Sequence, residues 1–422
     1  MIEKILDLHI HSKYSRACSP ELELPKIAKA CEIKGIDIVA TGDYTHPAWL
    51  SHIKEHLKEV ENGIYTLKNN KSKIRFILST EVSCIYKHAG KTRRLHLALL
   101  APNIIAVEKL IKKLEARGIN LKSDGRPIMG MSAKDLLKTM LEIDKRFFMI
   151  PAHAWTPWFA IFGSKSGYDS LQECFEDLTP QICAIETGLS SDPPMNHRLK
   201  QLDEIVLVSN SDAHSLDNLG REANVFNFKN EKISYDDIVD VIKSGDRKRF
   251  LYTIEFYPEE GMYHFDGHVD CKICWSPEKS KKNNNICPVC KKSLTIGVLH
   301  RVDDLADRKE KDISVNQFIP HKYIVPLREL IGKVFKVGKK SKKVEKEYNN
   351  LIKKLGNEFY ILLRASVEDI NKVASDRNIV IAITNMRSGA VKISPGYDGV
   401  YGVVEPILKG GINNTVQSRL AI

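Results

Sequence analysis

From the N-terminus to about residue 255, short apolar runs alternate with amphipathic stretches. The runs at 4–8, 36–41, 74–80, 95–100, 147–151, 182–186 and 205–209 are rich in aliphatic residues and read as strands. Between most of them, segments such as 24–34, 106–117, 133–142 and 235–243 carry apolar residues at helical spacing. Alternation of strand and helix at this density predicts an α/β fold, with a parallel sheet and helices outside it. Seven strands suit a barrel as well as an open sheet.

After residue 260 the texture changes. Residues 271–290 carry paired cysteines, 279–285 read KSKKNNN, 339–346 read KKSKKVEK, and 388–411 are glycine-rich. These shifts predict three parts: residues 1–260, 261–310 and 311–422. The 422 residues are 43% hydrophobic and 28% charged, which is ordinary globular composition and excludes a disordered polymer, a collagen or a disulfide scaffold.

The net charge of +11 is unevenly spread: residues 1–220 carry 29 basic and 27 acidic side chains, the remainder 35 and 26. The excess in the second half points to an anionic partner held there. No stretch approaches the roughly 20 apolar residues that cross a bilayer. The N-terminus, MIEKILDLHIHSKYS, has no signal-peptide apolar core. A cytoplasmic, intracellular protein with no membrane partner is expected. Five of the nine cysteines are scattered and four form two close pairs, which in a reducing compartment favours metal binding over disulfides.

The candidate chemistry lies at strand ends. His9 and His11 follow the first strand as H-I-H, and period-2 geometry puts both imidazoles on one side, able to hold one metal. Asp43 and His46 follow the second strand in TGDYTHP, Glu81 the third, His153 the fifth in PAHAW, and Asp212 with His214 the last in SNSDAH. His96 lies within a strand instead. In a parallel α/β fold such ends converge on one face, where these folds place their chemistry. Imidazole plus carboxylate without thiolate suits Zn²⁺, Mn²⁺ or Fe²⁺. The ligands are too many for one ion and enough for two or three. Clusters of this kind clamp a phosphate and activate water against it.

Cys271 and Cys274, then Cys287 and Cys290, form two C-x-x-C pairs with twelve residues between them. That is a tetrahedral all-thiolate spacing and predicts one structural Zn²⁺, since a closed thiolate shell leaves no position for substrate. Lys272, Lys279, Lys281, Lys282, Lys291 and Lys292 surround it, so the module is expected to touch phosphates as well.

HIH, TGDYTHP, Glu81, PAHAW and SDAH, in this order, resemble the PHP superfamily. The resemblance implies a distorted seven-stranded β/α barrel with two or three divalent metals (Zn, Mn or Mg) hydrolysing phosphoesters. By that resemblance His9, His11, Glu81 and Asp212 hold the first metal, and Glu81 bridges to a second held by His96 and His153. The third takes His214 with Asp43 or His46. The chain departs from the family pattern at Ser15, where many members carry a histidine, and at Tyr44, where they continue Asp-His.

The whole arrangement resembles the endonuclease Q family of DNA-repair enzymes. Its marks here are the barrel motifs, the cysteine pairs, the stretch 294–308 (LTIGVLHRVDDLADR) and the stretch 395–402 (PGYDGVYG). The resemblance implies a metal-dependent DNA endonuclease, in which His9, His11, Asp43, Glu81 and Asp212 carry catalysis. It cuts 5′ to deaminated bases (uracil, hypoxanthine, xanthine) or abasic sites and leaves 3′-OH and 5′-phosphate. Damaged DNA, duplex or single-stranded, is the expected partner, with replication or repair factors beside it. The C-terminal part, a basic mixed α/β domain, is expected to bind DNA.

Arg16 is a candidate phosphate clamp. Tyr44, Trp155, Trp158 and Phe159 are candidates to stack on or wedge beside a flipped base, and Tyr397 and Tyr401 to approach the backbone. Two other readings stand beside this one: a small-molecule phosphatase of the histidinol-phosphatase type, and a non-catalytic DNA-binding protein.

Overall fold

The structure, a computed structural model, describes residues 1–68 and 72–408. All seven expected strands form, and they curve into one distorted barrel. β1 (Ile2–Asp7), β2 (Ile38–Ala40) and β3 (Arg75–Ile77) run parallel, with Leu6 opposite Ile38 and Val39 opposite Phe76. The chain then enters a long antiparallel hairpin, β4 (Ser79–His88) and β5 (Lys91–Leu100), and β5 pairs antiparallel with β6 (Phe148–Pro151). β7 (Ala184–Glu186) is tied to the end of β6 by the Ala154 N–H, which donates to the Glu186 carbonyl at 2.9 Å. It pairs parallel with β8 (Val206–Val208). The ring closes beyond β8, where the Asp212 N–H donates to the His9 carbonyl (2.9 Å) and the His11 N–H to the Ala213 carbonyl (3.1 Å).

The expected helices also form: α1 (Leu24–Lys34), α3 (Ile104–Ala116), α4 (Ala133–Ile143) and α5 (Tyr235–Ser244), with α2 (Pro47–His56) in addition. α5 starts at a capping box between Ser234 and Asp237. Its buried face, Tyr235, Ile238, Val239 and Ile242, joins the inward side chains of the barrel. Those include Leu6, Leu8, Ile38, Ile77, Ala98, Leu100, Phe148, Ile150, Ala184 and Val208. They recur in two-residue steps along their strands, as a barrel interior requires. The Tyr235 hydroxyl donates to the carbonyls of Leu100 (3.2 Å) and Arg146 (2.7 Å), which closes the end of the barrel opposite the site.

One step further along β4, β5, β7 and β8 the inward position turns polar. Glu81 follows Ile77 and Ser79, Glu186 follows Ala184, and Asn210 follows Val208. His96 precedes Ala98, because β5 runs against its neighbours and presents its N-terminal half to the mouth. That direction explains why His96 sits well inside a strand while His9, His11, His153 and Asp212 follow strand ends.

Beyond the barrel the sheet continues. β9 (Ala223–Phe228) pairs antiparallel with β1, and β10 (Phe250–Glu255) antiparallel with β9. The cysteine module is built on a short ribbon of β11 (Asp266–His268) and β12 (Ile273–Trp275). β13 (His321–Tyr323) then returns to pair parallel with β10, Thr253 opposite His321. Five helices follow between Leu327 and Arg387, and the strands Val391–Ser394 and Val403–Pro406 form an antiparallel hairpin. Residues 409–422 of the expected C-terminal part lie outside the described residues. Among the described residues, no helix is long and apolar enough to cross a membrane.

Candidate active site

At the barrel mouth His9, His11, Glu81 and Asp212 each offer a donor atom within 4.8 Å of the others, and Glu81, His96 and His153 do the same. Glu81 belongs to both groups. His11 Nε2 lies 3.0 Å from Asp212 Oδ1 and 3.3 Å from Glu81 Oε2. Glu81 Oε1 lies 3.0 Å from His96 Nδ1 and 3.2 Å from His153 Nε2.

The imidazoles are held from behind. His9 Nδ1 donates to the Glu186 carboxylate at 3.1 Å, His11 Nδ1 to Asp43 Oδ1 at 3.1 Å, and His153 Nδ1 lies 3.1 Å from Thr156 Oγ1. A partner on one ring nitrogen fixes the tautomer and aims the other nitrogen, which is how metal-binding histidines are oriented. Glu186 also accepts from the His153 backbone N–H (2.8 Å) and from Asn210 Nδ2 (2.9 Å). Asp43, His153 and Asp212 all have left-handed φ, at 47°, 29° and 45°. Such angles cost on the order of 1 kcal/mol or more each and cluster at functional sites.

The donor set fits divalent metals. His9 Nε2 is buried with no hydrogen-bond partner, 3.8 Å from both Glu81 Oε1 and Asp212 Oδ1, spacing that suits a shared cation. Burial pushes the Glu81 carboxyl up, but the imidazoles around it, His96 first and then His11 and His153, outweigh it and hold the group well below the usual carboxylate range. Burial pushes His96 down to about 4 against the pull of Glu81, so its lone pair is available at neutral pH.

The expected third set, His214 with Asp43 or His46, makes no cluster of three donors among the described residues. His214 Nδ1 lies 2.8 Å from the Asp212 carbonyl. Asp43 is spent on orientation: besides His11, its carboxylate accepts from the Ser12 N–H (2.7 Å), Ser12 Oγ (2.6 Å) and Ser15 Oγ (2.9 Å). His46 stacks on Tyr14, ring centroids 4.5 Å apart. Ser15, where many PHP members have a histidine, therefore serves to position Asp43.

Two charged groups escaped the sequence reading. Glu186 ends a strand, so the rule that singles out Glu81 singles it out too. Arg126 lies in the loop between α3 and α4, where no periodic signal marks it. Its Nη1 donates to Glu81 Oε2 at 3.0 Å, and its side chain faces the mouth. Gly125 makes that entry possible, since a Cβ there would collide with the side chains of Asp43 and Ser15.

A cleft of about 410 Å³ opens over the site. His96, Arg126, His153, Asp212 and His214 line its floor; Trp158, Phe159, Met262, Tyr263 and Tyr401 line its sides. Trp158 and Tyr263 meet edge to face at 5.7 Å, and Phe159 packs on His96 at 4.6 Å. Trp158 is 41% exposed and Tyr401 71%. Two expected aromatics are placed elsewhere. Tyr44 is fully buried, and so is Trp155, whose indole N–H donates to Asn196 Oδ1 at 2.8 Å; neither can reach a nucleic acid. Both follow apolar strands closely enough to be drawn into the core. Tyr397 packs against Gly267 of the ribbon, and Arg16 is exposed at the rim beside Asp124.

In the module, His268, Cys271, Cys287 and Cys290 converge within 4.8 Å, and Cys274 does not. The register gives the reason. Cys274 stands opposite Gly267 and Ile273 opposite His268, so Cys274 and His268 project from opposite faces of the ribbon. Cys274 Sγ lies instead 3.9 Å from the Pro395 carbonyl. His268 Nδ1 is buried without a hydrogen-bond partner, and the Cys₃His set fits a structural Zn²⁺. Of the surrounding lysines, Lys281 pairs with Asp303 and Asp304 and Lys282 with Glu278, whereas Lys272 and Lys292 are exposed.

Residues 203–246 match the family model described as PHP-associated, and residues 326–390 that of the MJ0043 C-terminal domain. The lesion-specific endonuclease PfuEndoQ from Pyrococcus furiosus is 30% identical, with a TM-score of 0.83 over 96% of this chain and 95% of that one. A structure of endonuclease Q with a 27-mer duplex substrate, an abasic lesion at its active site, is 30% identical, with a TM-score of 0.82 over 98% of this chain and all of that one. YqxK of Bacillus subtilis is 28% identical over 95% of this chain and 98% of its own length. MJ0043 of Methanocaldococcus jannaschii is 31% identical over 255 residues, which is 60% of this chain and 31% of that protein.

Proposed function

This chain belongs to the endonuclease Q family, and from that premise we propose that it is a metal-dependent DNA endonuclease cutting 5′ to a deaminated base or an abasic site. Uracil, hypoxanthine and xanthine are the bases, and the products carry 3′-hydroxyl and 5′-phosphate ends. The observation that carries the reading is the pair of donor groups sharing Glu81 on the floor of a cleft with aromatic sides. Phosphoester chemistry needs the floor; a base taken out of the stack needs the sides.

His9, His11, Glu81 and Asp212 would hold one divalent metal, and Glu81, His96 and His153 a second. Metals there supply Lewis acidity toward the phosphate and the attacking water. The chain's own residues do the rest. Glu186, Asp43 and Thr156 hold the imidazoles in place, so that no reorganisation is needed as charge develops. Arg126 brings a permanent positive charge to the same floor, in reach of a nonbridging phosphate oxygen.

The Trp158–Tyr263 pair and Tyr401 offer faces for a displaced base. Deamination exchanges an exocyclic amine for a carbonyl and adds a ring N–H. A pocket that donates to the one and accepts from the other takes several lesions and refuses cytosine and adenine. An abasic site presents nothing to refuse. Within this reading residues 1–260 carry the chemistry, 261–310 the Zn²⁺ module that closes the cleft, and 311–422 a basic surface for the phosphate backbone.

The test is incision of otherwise identical duplexes carrying uracil, hypoxanthine, xanthine, an abasic site or no lesion, with Mn²⁺, Mg²⁺ or Zn²⁺ supplied. Nicks on the 5′ side of the lesions alone are expected. Equal cutting of the undamaged duplex would remove lesion specificity from the proposal.

A further inference from the structure

Away from the barrel mouth, His52, Glu55 and His56 occupy positions i, i+3 and i+4 at the C-terminal end of α2, and therefore share one helix face. One donor atom from each lies within 4.8 Å of the others, and the two imidazole centroids are 3.9 Å apart.

The rings are already fixed. His56 Nδ1 lies 3.1 Å from the His52 carbonyl, which can only accept, so Nδ1 carries the proton and Nε2 keeps its lone pair. His52 stacks on Trp49 at 4.8 Å and 19°. Trp49 is in turn pinned, its indole N–H donating to the Gly42 carbonyl (2.8 Å) and the Thr41 carbonyl (3.1 Å). His52 Nε2 is buried and has no hydrogen-bond partner.

Two oriented imidazoles and a carboxylate suit a borderline cation of the Zn²⁺, Ni²⁺ or Cu²⁺ kind far better than Mg²⁺ or Ca²⁺. H-x-x-E-H is also the spacing by which one helix turn offers two histidines to zinc in the inverted zincins. We propose that His52, Glu55 and His56 form a separate binding site for a divalent transition metal of the zinc class. Three protein donors leave a position for water, and Glu55 is exposed, so this site exchanges its ion more readily than the cysteine module does.

The experiment counts zinc. The full chain is dialysed to equilibrium against a series of buffered free Zn²⁺ concentrations, and bound metal is measured by plasma mass spectrometry beside lesion-duplex nicking. Wild type is expected to take up one Zn²⁺ more per chain than His56→Ala at saturation, with nicking unchanged. Glu55→Gln, an exposed substitution that leaves the packing intact, should shift the last binding step to several-fold higher free Zn²⁺. Equal zinc uptake by wild type, His56→Ala and Glu55→Gln across the series would overturn the proposal.

Discussion

The donors at the barrel mouth are spread between His9 and Asp212, over a core that reaches from Leu6 to Phe250, and each first-metal imidazole has a carboxylate behind it. The donors of the module come from the short stretch 268–290, on a ribbon of three-residue strands whose residues are mostly half-buried or exposed. In the first region packing places the ligands, so that metal would be added to a finished frame. In the second there is little packing to do that, and a bound ion would take the part of the core. Similar side chains thus serve opposite ends: one site spends fold stability on chemistry, the other spends a metal on fold stability.

The largest expected effect separates the two at once. His9→Ala or Asp212→Asn should lower nicking by on the order of 10³-fold or more while the melting temperature barely moves, as a calorimetric scan would report. Arg126→Ala should cost about 10²-fold, mostly in kcat, with Arg126→Lys recovering part of it. A collapse of the fold in His9→Ala would mean that the frame is not finished without its ligands.

Next comes Cys287→Ser, which should lose one Zn²⁺ and open the module to protease while the barrel stays resistant. Cys274→Ser should keep both the zinc and the resistance. The reverse outcome would return Cys274 to the ligand set and remove His268.

The smallest effect concerns the cost of a buried acid beside the barrel. Burial, reinforced by Asp192, pushes the Glu255 carboxyl up to about 8 despite the hydrogen bond that Thr187 Oγ1 donates to it at 3.0 Å. The folded chain therefore keeps a proton that the unfolded chain releases near the ordinary carboxylate value, and stability drains away as pH rises between the two. Glu255→Gln should raise the melting temperature at pH 8 and change it little at pH 5. A uniform shift at both would assign the effect to packing.

How far the sequence reached follows from where each signal lives. The barrel strands were legible because a run buried in an α/β fold is short, aliphatic and bounded, and Glu81, His153 and Asp212 were legible because such runs end at the mouth. Asp43 was legible as a site residue but its job was not: only the hydroxyls of Ser12 and Ser15 around its carboxylate reveal that it orients His11. Arg126 could not be read, because a long loop delivers it. The spacing of Cys271, Cys274, Cys287 and Cys290 pointed to a metal, yet spacing carries no register. Which of Cys274 and His268 faces inward depends on the pairing of two three-residue strands.

The return of β13 to the edge of β10 bears on synthesis. Chains fold as they emerge, N-terminal parts first. Between the appearance of Glu255 and that of Tyr323, the growing polypeptide holds a nearly complete barrel whose outermost strand is bare. A bare edge invites pairing with another chain, so the nascent protein passes through a window of vulnerability that closes only once the module has been made. Clones truncated after residue 260 would stay in that window for good, and are best judged by their solubility before any loss of DNA binding is read from them.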